Sequence, residues 1–388
     1  MERLPTEIII EICSSLCYHC RPCPDNKFLL LAPALLNLCL TSSRLRAIAQ
    51  PILYHHIHID HNGKSCTDLL NTIIDRPDLA RAVRWLIVSD SLDEDEEETM
   101  KDLVFRDWSG AENSVVQQLL VQIPLVEVLW VGSQAPEAWG LRFFVDGPDT
   151  QSLPTLRTVR IAHWDRYSGF DPSTMTDLFL LATNINSLAI RYGRNLSCML
   201  PIQNVTCLIL EECTFSTRRM RWFLLSCGKL DTFAYHGTFY KSDDGEISTN
   251  ELVKLLEELG HSRTLRRLSL QYYVLQERIC SLASFAQLQI LQLNSWIFRE
   301  TMCEGLPAEW LPPSLEEIGL YDDYLHEECI EWISAKASSG FFHRLRKITL
   351  DRLEGIKEKF QHLNITCLKS KRFEIGEWLR APGGAAVY

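Results

Sequence analysis

Three cysteines spaced by two residues, Cys17, Cys20 and Cys23, stand beside His19 and Cys13 near the start of this 388-residue chain. Thiolates at that spacing bind zinc or a cluster, but a closed zinc site needs four ligands, usually drawn from two separated pairs. One group is present, and Cys39 is the residue that would complete it. The spacing reads as an inserted segment without metal, and no cofactor is expected. A second set, His55, His56, His58 and His61, is interleaved with Ile57 and Ile59. Such alternation describes a half-buried strand, with His56 and His58 on one face. Asn62-Gly63-Lys64-Ser65 has the tail of a phosphate loop, yet His58 fills the position where its first glycine is needed. His326-Glu327 opens a metalloprotease-like string, but Ile330 replaces its second histidine, and no G-x-S-x-G elbow occurs. The expectation is a non-catalytic protein with no catalytic residues. The alternative from another class is a hydrolase or nucleotide-dependent enzyme on an α/β sheet.

The elements that carry these residues begin with helices. Leu4, Ile8, Ile12 and Leu16 recur every four residues with Ile9 alongside, which predicts an amphipathic helix of about three turns. Pro5 suits its first turn, and Glu7 favours the positive end of its dipole. A second helical piece is expected around Leu35, Leu36, Leu38 and Leu40. A third is capped by Ser42, carries Leu45, Ile48 and Ala49 on one face, and stops at Pro51. Three short helices apolar on more than one face make a weak core alone and call for a partner helix.

LPTEIIIEICSSL resembles the opening of an F-box, and LLNLCLTSSRLRAIAQPILYHHIHI resembles its second half in the form common in fungal F-box proteins. The resemblance covers roughly residues 2–54. It implies a three-helix module that binds a Skp-family adaptor within an SCF-type cullin–RING ubiquitin ligase. Leu4, Pro5, Ile8, Leu36, Leu40 and Leu45 are the matching positions that would contact or shape that interface. The connection from Cys17 to Ala34 is longer than the family's.

From residue 79 onward one pattern returns: apolar, two residues, apolar, one residue, apolar. It runs through Val83-Leu86-Val88, Leu125-Val128-Trp130, Leu156-Val159-Ile161 and further units to Leu345-Ile348-Leu350, mostly roughly 20–35 residues apart. That is the period of leucine-rich repeats. Helical segments lie between, one with a capping box of Ser248 and Glu251 closed by Gly260. Strand, helix, strand predicts a parallel sheet. The expected fold is α/β: a helical module over 1–54, then a leucine-rich-repeat-like horseshoe over 55–388. A doubly wound sheet is the rival. In such repeats the Asn or Cys after the strand is plain only at Cys213.

If the patterned residues point to the core, those between them face the other side of the sheet. Candidate target-binding residues are therefore Arg160, Arg191, Glu211, His236, Arg267, Gln271, Asn294 and Tyr321. Both charge signs, amides and an aromatic suit a protein target better than a nucleic acid. Asp90 to Glu98, with seven carboxylates in nine residues, reads as a solvated loop, as does Lys241 to Glu246.

Composition narrows the partner classes. A net charge of −11 disfavours nucleic acid and anionic membranes, which attract clustered cations. The 14 cysteines are scattered among apolar neighbours, as expected of reduced thiols in a cytoplasmic or nuclear protein. The longest apolar run, Phe28 to Leu40, is interrupted by Pro33 and Asn37 and is too short to span a bilayer. The expected partners are a Skp-family adaptor, a cullin scaffold and an unidentified protein substrate; the alternative is an F-box and solenoid interaction scaffold without ubiquitin transfer.

Overall fold

The computed structural model describes residues 4–17, 19–20, 28–60, 63–89, 110–133, 152–163, 169–238, 246–272, 279–303, 310–321, 327–350 and 356–369. They form two compact units, one within Met1–Leu188 and one within Ala189–Ile375. The acidic run Asp90 to Glu98 and residues Lys241 to Gly245 lie outside the described residues.

Twelve strands are described: β1 His56–Asp60, β2 Trp85–Ser89, β3 Val128–Ser133, β4 Thr158–His163, β5 Ser187–Arg191, β6 Cys207–Glu211, β7 Thr232–His236, β8 Arg267–Gln271, β9 Ile290–Asn294, β10 Glu317–Tyr321, β11 Lys347–Leu350 and β12 Thr366–Lys369. The helices are α1 Thr6–Ser15, α2 Phe28–Thr41, α3 Ser43–Leu53, α4 Gly63–Asp75, α5 Pro77–Ala80, α6 Gly110–Gln122, α7 Thr176–Leu181, α8 Thr217–Ser226, α9 Thr249–Glu258, α10 Ser295–Cys303, α11 Glu327–Ser338 and α12 Lys357–Gln361. The strands form one parallel sheet ordered as in the chain, β1 through β12, with β1 and β12 at its edges. It is not a closed barrel. Nor does the order reverse, as it does at the switch point of a doubly wound sheet.

In the first unit the second position of β2 aligns Leu86 with Leu129 and Val159, and the fourth aligns Val88 with Val131 and Ile161. All six are fully buried. The second unit repeats the arrangement: Leu208, Phe233, Leu268, Leu291, Ile318 and Ile348 align across six strands, and so do Leu210, Tyr235, Leu270, Leu293, Leu320 and Leu350. None of these twelve has measurable exposure. Each such side chain contributes about 1.5–3 kcal/mol by leaving water, so every repeat places two anchors in the same register.

One repeat departs from the expected triplet. At β3 the fully enclosed residues are Val126, just before the strand, Leu129 and Val131, whereas Val128 keeps 7% exposure and Leu125 and Trp130 are half-buried. The shift is one residue, which in a strand exchanges the two faces. Alignment with Leu86 and Val88 decides it, because a single apolar stretch offers two overlapping triplets.

The helices carry the expected punctuation. Ser248 accepts from the Glu251 N–H, and Glu251 reaches back to Ser248, completing the capping box of α9. Gly260 follows in the left-handed conformation (φ 80°). Val116, Leu119, Leu120 and Ile123 are buried along α6 and just beyond it. No described helix is long and apolar enough to cross a membrane.

Candidate functional site

The first three helices enclose a small core of Ile9, Cys13, Cys17, Leu35, Cys39, Leu45, Ala49 and Ile52. Ser42 caps α3 as expected, its hydroxyl accepting from Leu45 N at 3.2 Å. Arg44 Nη2 donates to the Leu4 carbonyl at 2.8 Å, and Arg46 Nε donates to the Cys39 carbonyl at 3.0 Å, tying α3 to both other helices. Two boundaries differ from expectation. Helix α2 begins at Phe28, so much of the expected long connection is helical. Helix α3 continues through Pro51 to Leu53, because Tyr54 N still closes onto Gln50 O at 3.2 Å and the proline forfeits one bond only.

The stripe that α1 buries is Ile9, Cys13 and, just past its end, Cys17. The stripe expected from Leu4, Ile8, Ile12 and Leu16 lies beside it, with Leu4 and Leu16 only partly buried against the core. Cysteine thus serves as the small apolar residue where three helices converge. This leaves large apolar side chains outside: Ile8 is 48% exposed, Ile10 44%, Leu36 49% and Leu40 67%. Leu36 and Leu40 are one turn apart and share a face of α2. Pro5 is exposed at the N-cap of α1. Leu45 is different. It is 1% exposed, so it shapes the module from within and cannot touch a partner.

The Cys/His residues sort themselves differently from their spacing. Cys39 lies in the helical core with Cys13, while Cys17, His19 and Cys20 meet His55. Their ligand atoms all lie within 4.8 Å of one another. Cys23 and His61 are outside the described residues. His56 and His58 lie in β1, the expected strand, where burial first and then His58 hold His56 down to about 4. Gly63 starts α4, Glu327 starts α11, and Ile330 is buried in the latter; Asn62 and His326 lie outside the described residues.

On the sheet, the candidate target-binding residues divide into two kinds. His236, Gln271 and Asn294 are buried, at 4%, 7% and 7% exposure, which corrects their placement on an open surface. His236 Nε2 lies 3.1 Å from Ser269 Oγ, and Asn294 Oδ1 accepts from the Tyr272 N–H at 2.8 Å. Asn294 therefore performs the task expected only of Cys213, whose Sγ accepts from the Gly193 N–H at 3.3 Å. In both cases a side chain satisfies backbone from the preceding repeat. Arg160, Arg191, Glu211, Arg267 and Tyr321 are half-exposed. Arg160 covers the Trp130 ring at 4.2 Å. Arg191 pairs with Glu211 at 3.7 Å and Glu212 at 3.0 Å, and these carboxylates strengthen its hold on the proton against the cost of burial. Within the second unit, register sets Glu211 beside His236, His236 beside Gln271, and Asn294 beside Tyr321. The row is real, but much of it is committed internally.

No family model and no curated protein matches the chain.

Proposed function

We propose that the chain is a substrate receptor of an SCF-type cullin–RING ubiquitin ligase. In this reading, helices α1–α3 form an F-box that docks on a Skp-family adaptor. The strand–helix repeats form a leucine-rich-repeat-like solenoid that holds a protein target. The observation that carries the reading is the exposure of Ile8, Ile10, Leu36 and Leu40 on helices whose adjoining faces already fill a small core. Four large apolar side chains at 44–67% exposure on one three-helix module cost solubility unless another polypeptide covers them. The resemblance of residues 2–54 to an F-box says which polypeptide that is. A receptor of this kind performs no covalent step; it raises the effective concentration of target beside the ubiquitin-loaded enzyme.

The test is co-elution of the full chain with a purified Skp-family adaptor in size-exclusion chromatography, repeated with L36D/L40D. These substitutions lie on the surface and leave the eight-residue core intact. The proposal expects a complex with the native chain and none with the variant. A complex unchanged by both charges overturns the docking face. Recovery of adaptor without cullin from cells, with the native chain, overturns the ligase part.

A further inference from the structure

Past the end of α1 the chain turns through Cys17, His19 and Cys20; past the end of α3 it reaches His55. The two helix ends abut, since Cys17 Sγ lies 3.6 Å from the Ile52 carbonyl oxygen. His55 is held from behind: its own carbonyl accepts from Arg84 N at 3.0 Å and Trp85 N at 2.9 Å, where β2 begins. Two thiols and two imidazoles from segments 35 residues apart are thereby aimed at one point. Cys20 Sγ is 3.4 Å from His55 Nδ1 and 3.6 Å from His19 Nδ1, and Cys17 Sγ is 3.9 Å from His55 Nδ1. A tetrahedral zinc ion with Zn–S of about 2.3 Å and Zn–N of about 2.05 Å separates its sulfur and nitrogen ligands by about 3.6 Å. The observed separations bracket that value.

We infer that Cys17, His19, Cys20 and His55 form a structural zinc site that clamps the helical module to the start of the sheet. The donor set is Cys2His2, a closed four-ligand set typical of structural rather than catalytic zinc. Two thiolates balance the charge of the ion, so the bound cluster is neutral in a partly buried place. Outside the ligands, His19 Nε2 faces Glu127 Oε2 at 4.0 Å, and Arg84 Nε lies 3.6 Å from the other oxygen of that carboxylate. A carboxylate behind a ligating histidine orients its ring and raises its basicity. Trp85 packs edge-on against His19 at 6.1 Å between ring centroids and shields one side.

This inference stands independently of the ubiquitin-ligase reading, because it concerns how the first unit is held together. Cys20 is at the surface, so C20S removes a ligand without opening the core. The full chain, purified under reducing conditions from zinc-supplemented cells, is expected to carry one zinc per molecule by elemental analysis, and C20S and H55Q none. Replacement by Co2+ is expected to give the intense visible bands and sulfur-to-cobalt charge transfer of a tetrahedral thiolate site, absent in C20S. A strong chelator is expected to lower the melting temperature of the native chain and leave that of C20S unchanged; E127Q is expected to bind zinc about 10-fold more weakly. Circular dichroism checks that each variant is folded, and C198S serves as a control for a surface thiol elsewhere. The inference is overturned if the native chain takes up no stoichiometric zinc or cobalt, if folded C20S and H55Q retain as much as the native chain, or if rapid alkylation of cells finds Cys17 and Cys20 joined as a disulfide.

Discussion

Asn294 Oδ1 accepts a 2.8 Å hydrogen bond from the backbone N–H of Tyr272, across the gap between consecutive repeats. The amide is 7% exposed and Tyr272 2%, so water has little access to replace it. N294A is expected to strand a buried N–H and to cost about 1–3 kcal/mol. Urea unfolding of the full chain measures it. A change within error of zero would return Asn294 to the binding surface on which its place in the strand first puts it.

Leu45 and Leu40 lie five residues apart but face opposite fates, at 1% and 67% exposure. L45A is expected to lose about 2–5 kcal/mol from the helical module, because a cavity opens where three helices meet. L40A is expected to change stability by less than about 0.5 kcal/mol. Hydrogen exchange across residues 4–53 separates the two, and equal protection losses would contradict this placement of the core.

His236 is enclosed in the second unit, and burial holds it at about 3. The folded value lies below the unfolded one of about 6.5, so as pH falls the unfolded chain takes up its proton first. The stability is therefore complete above pH ~6.5 and is lost progressively between about 6.5 and about 3, at about 1.4 kcal/mol for each pH unit. His261, also lowered by burial, adds to the same trend. H236Q is expected to flatten the slope of unfolding free energy against pH on the acid side of ~6.5 by one proton's worth. Parallel slopes for the two proteins would show that His236 is protonated equally in both states.

A β-carbon at Gly228 would overlap the carbonyl oxygen of Gln203. This glycine follows the C-cap of α8, and its role is clearance for a neighbouring repeat's backbone. G228A is expected to destabilise the second unit by about 1–3 kcal/mol, since a carbonyl in a packed turn yields less readily than a side chain. G340A tests a different cause. Gly340 has open space around it and φ of 78°, so its cost is conformational alone and is expected to stay near 1 kcal/mol. Thermal melts of both variants discriminate clearance from backbone freedom.

The sequence by itself determined the parallel α/β plan, because two apolar residues at alternate positions, recurring with helices between, set which face of each strand carries the apolar anchors. It also determined local punctuation such as the Ser42 cap and the Ser248–Glu251 box, whose partners lie within one helical turn. Only the tertiary structure decided the register of β3, since Leu125-Val128-Trp130 and Val126-Leu129-Val131 are equally apolar until Leu86 and Val88 lie beside them. The last strand, β12, carries a mostly exposed edge pattern with too little apolar contrast to be legible. The same limit governed the sites. His55 meets Cys17 and Cys20 because the ends of α1 and α3 converge, and Asn294 turns inward because a neighbouring backbone N–H needs an acceptor. Contacts between residues distant in the chain depend on how elements pack, and spacing along one strand or helix holds no record of that.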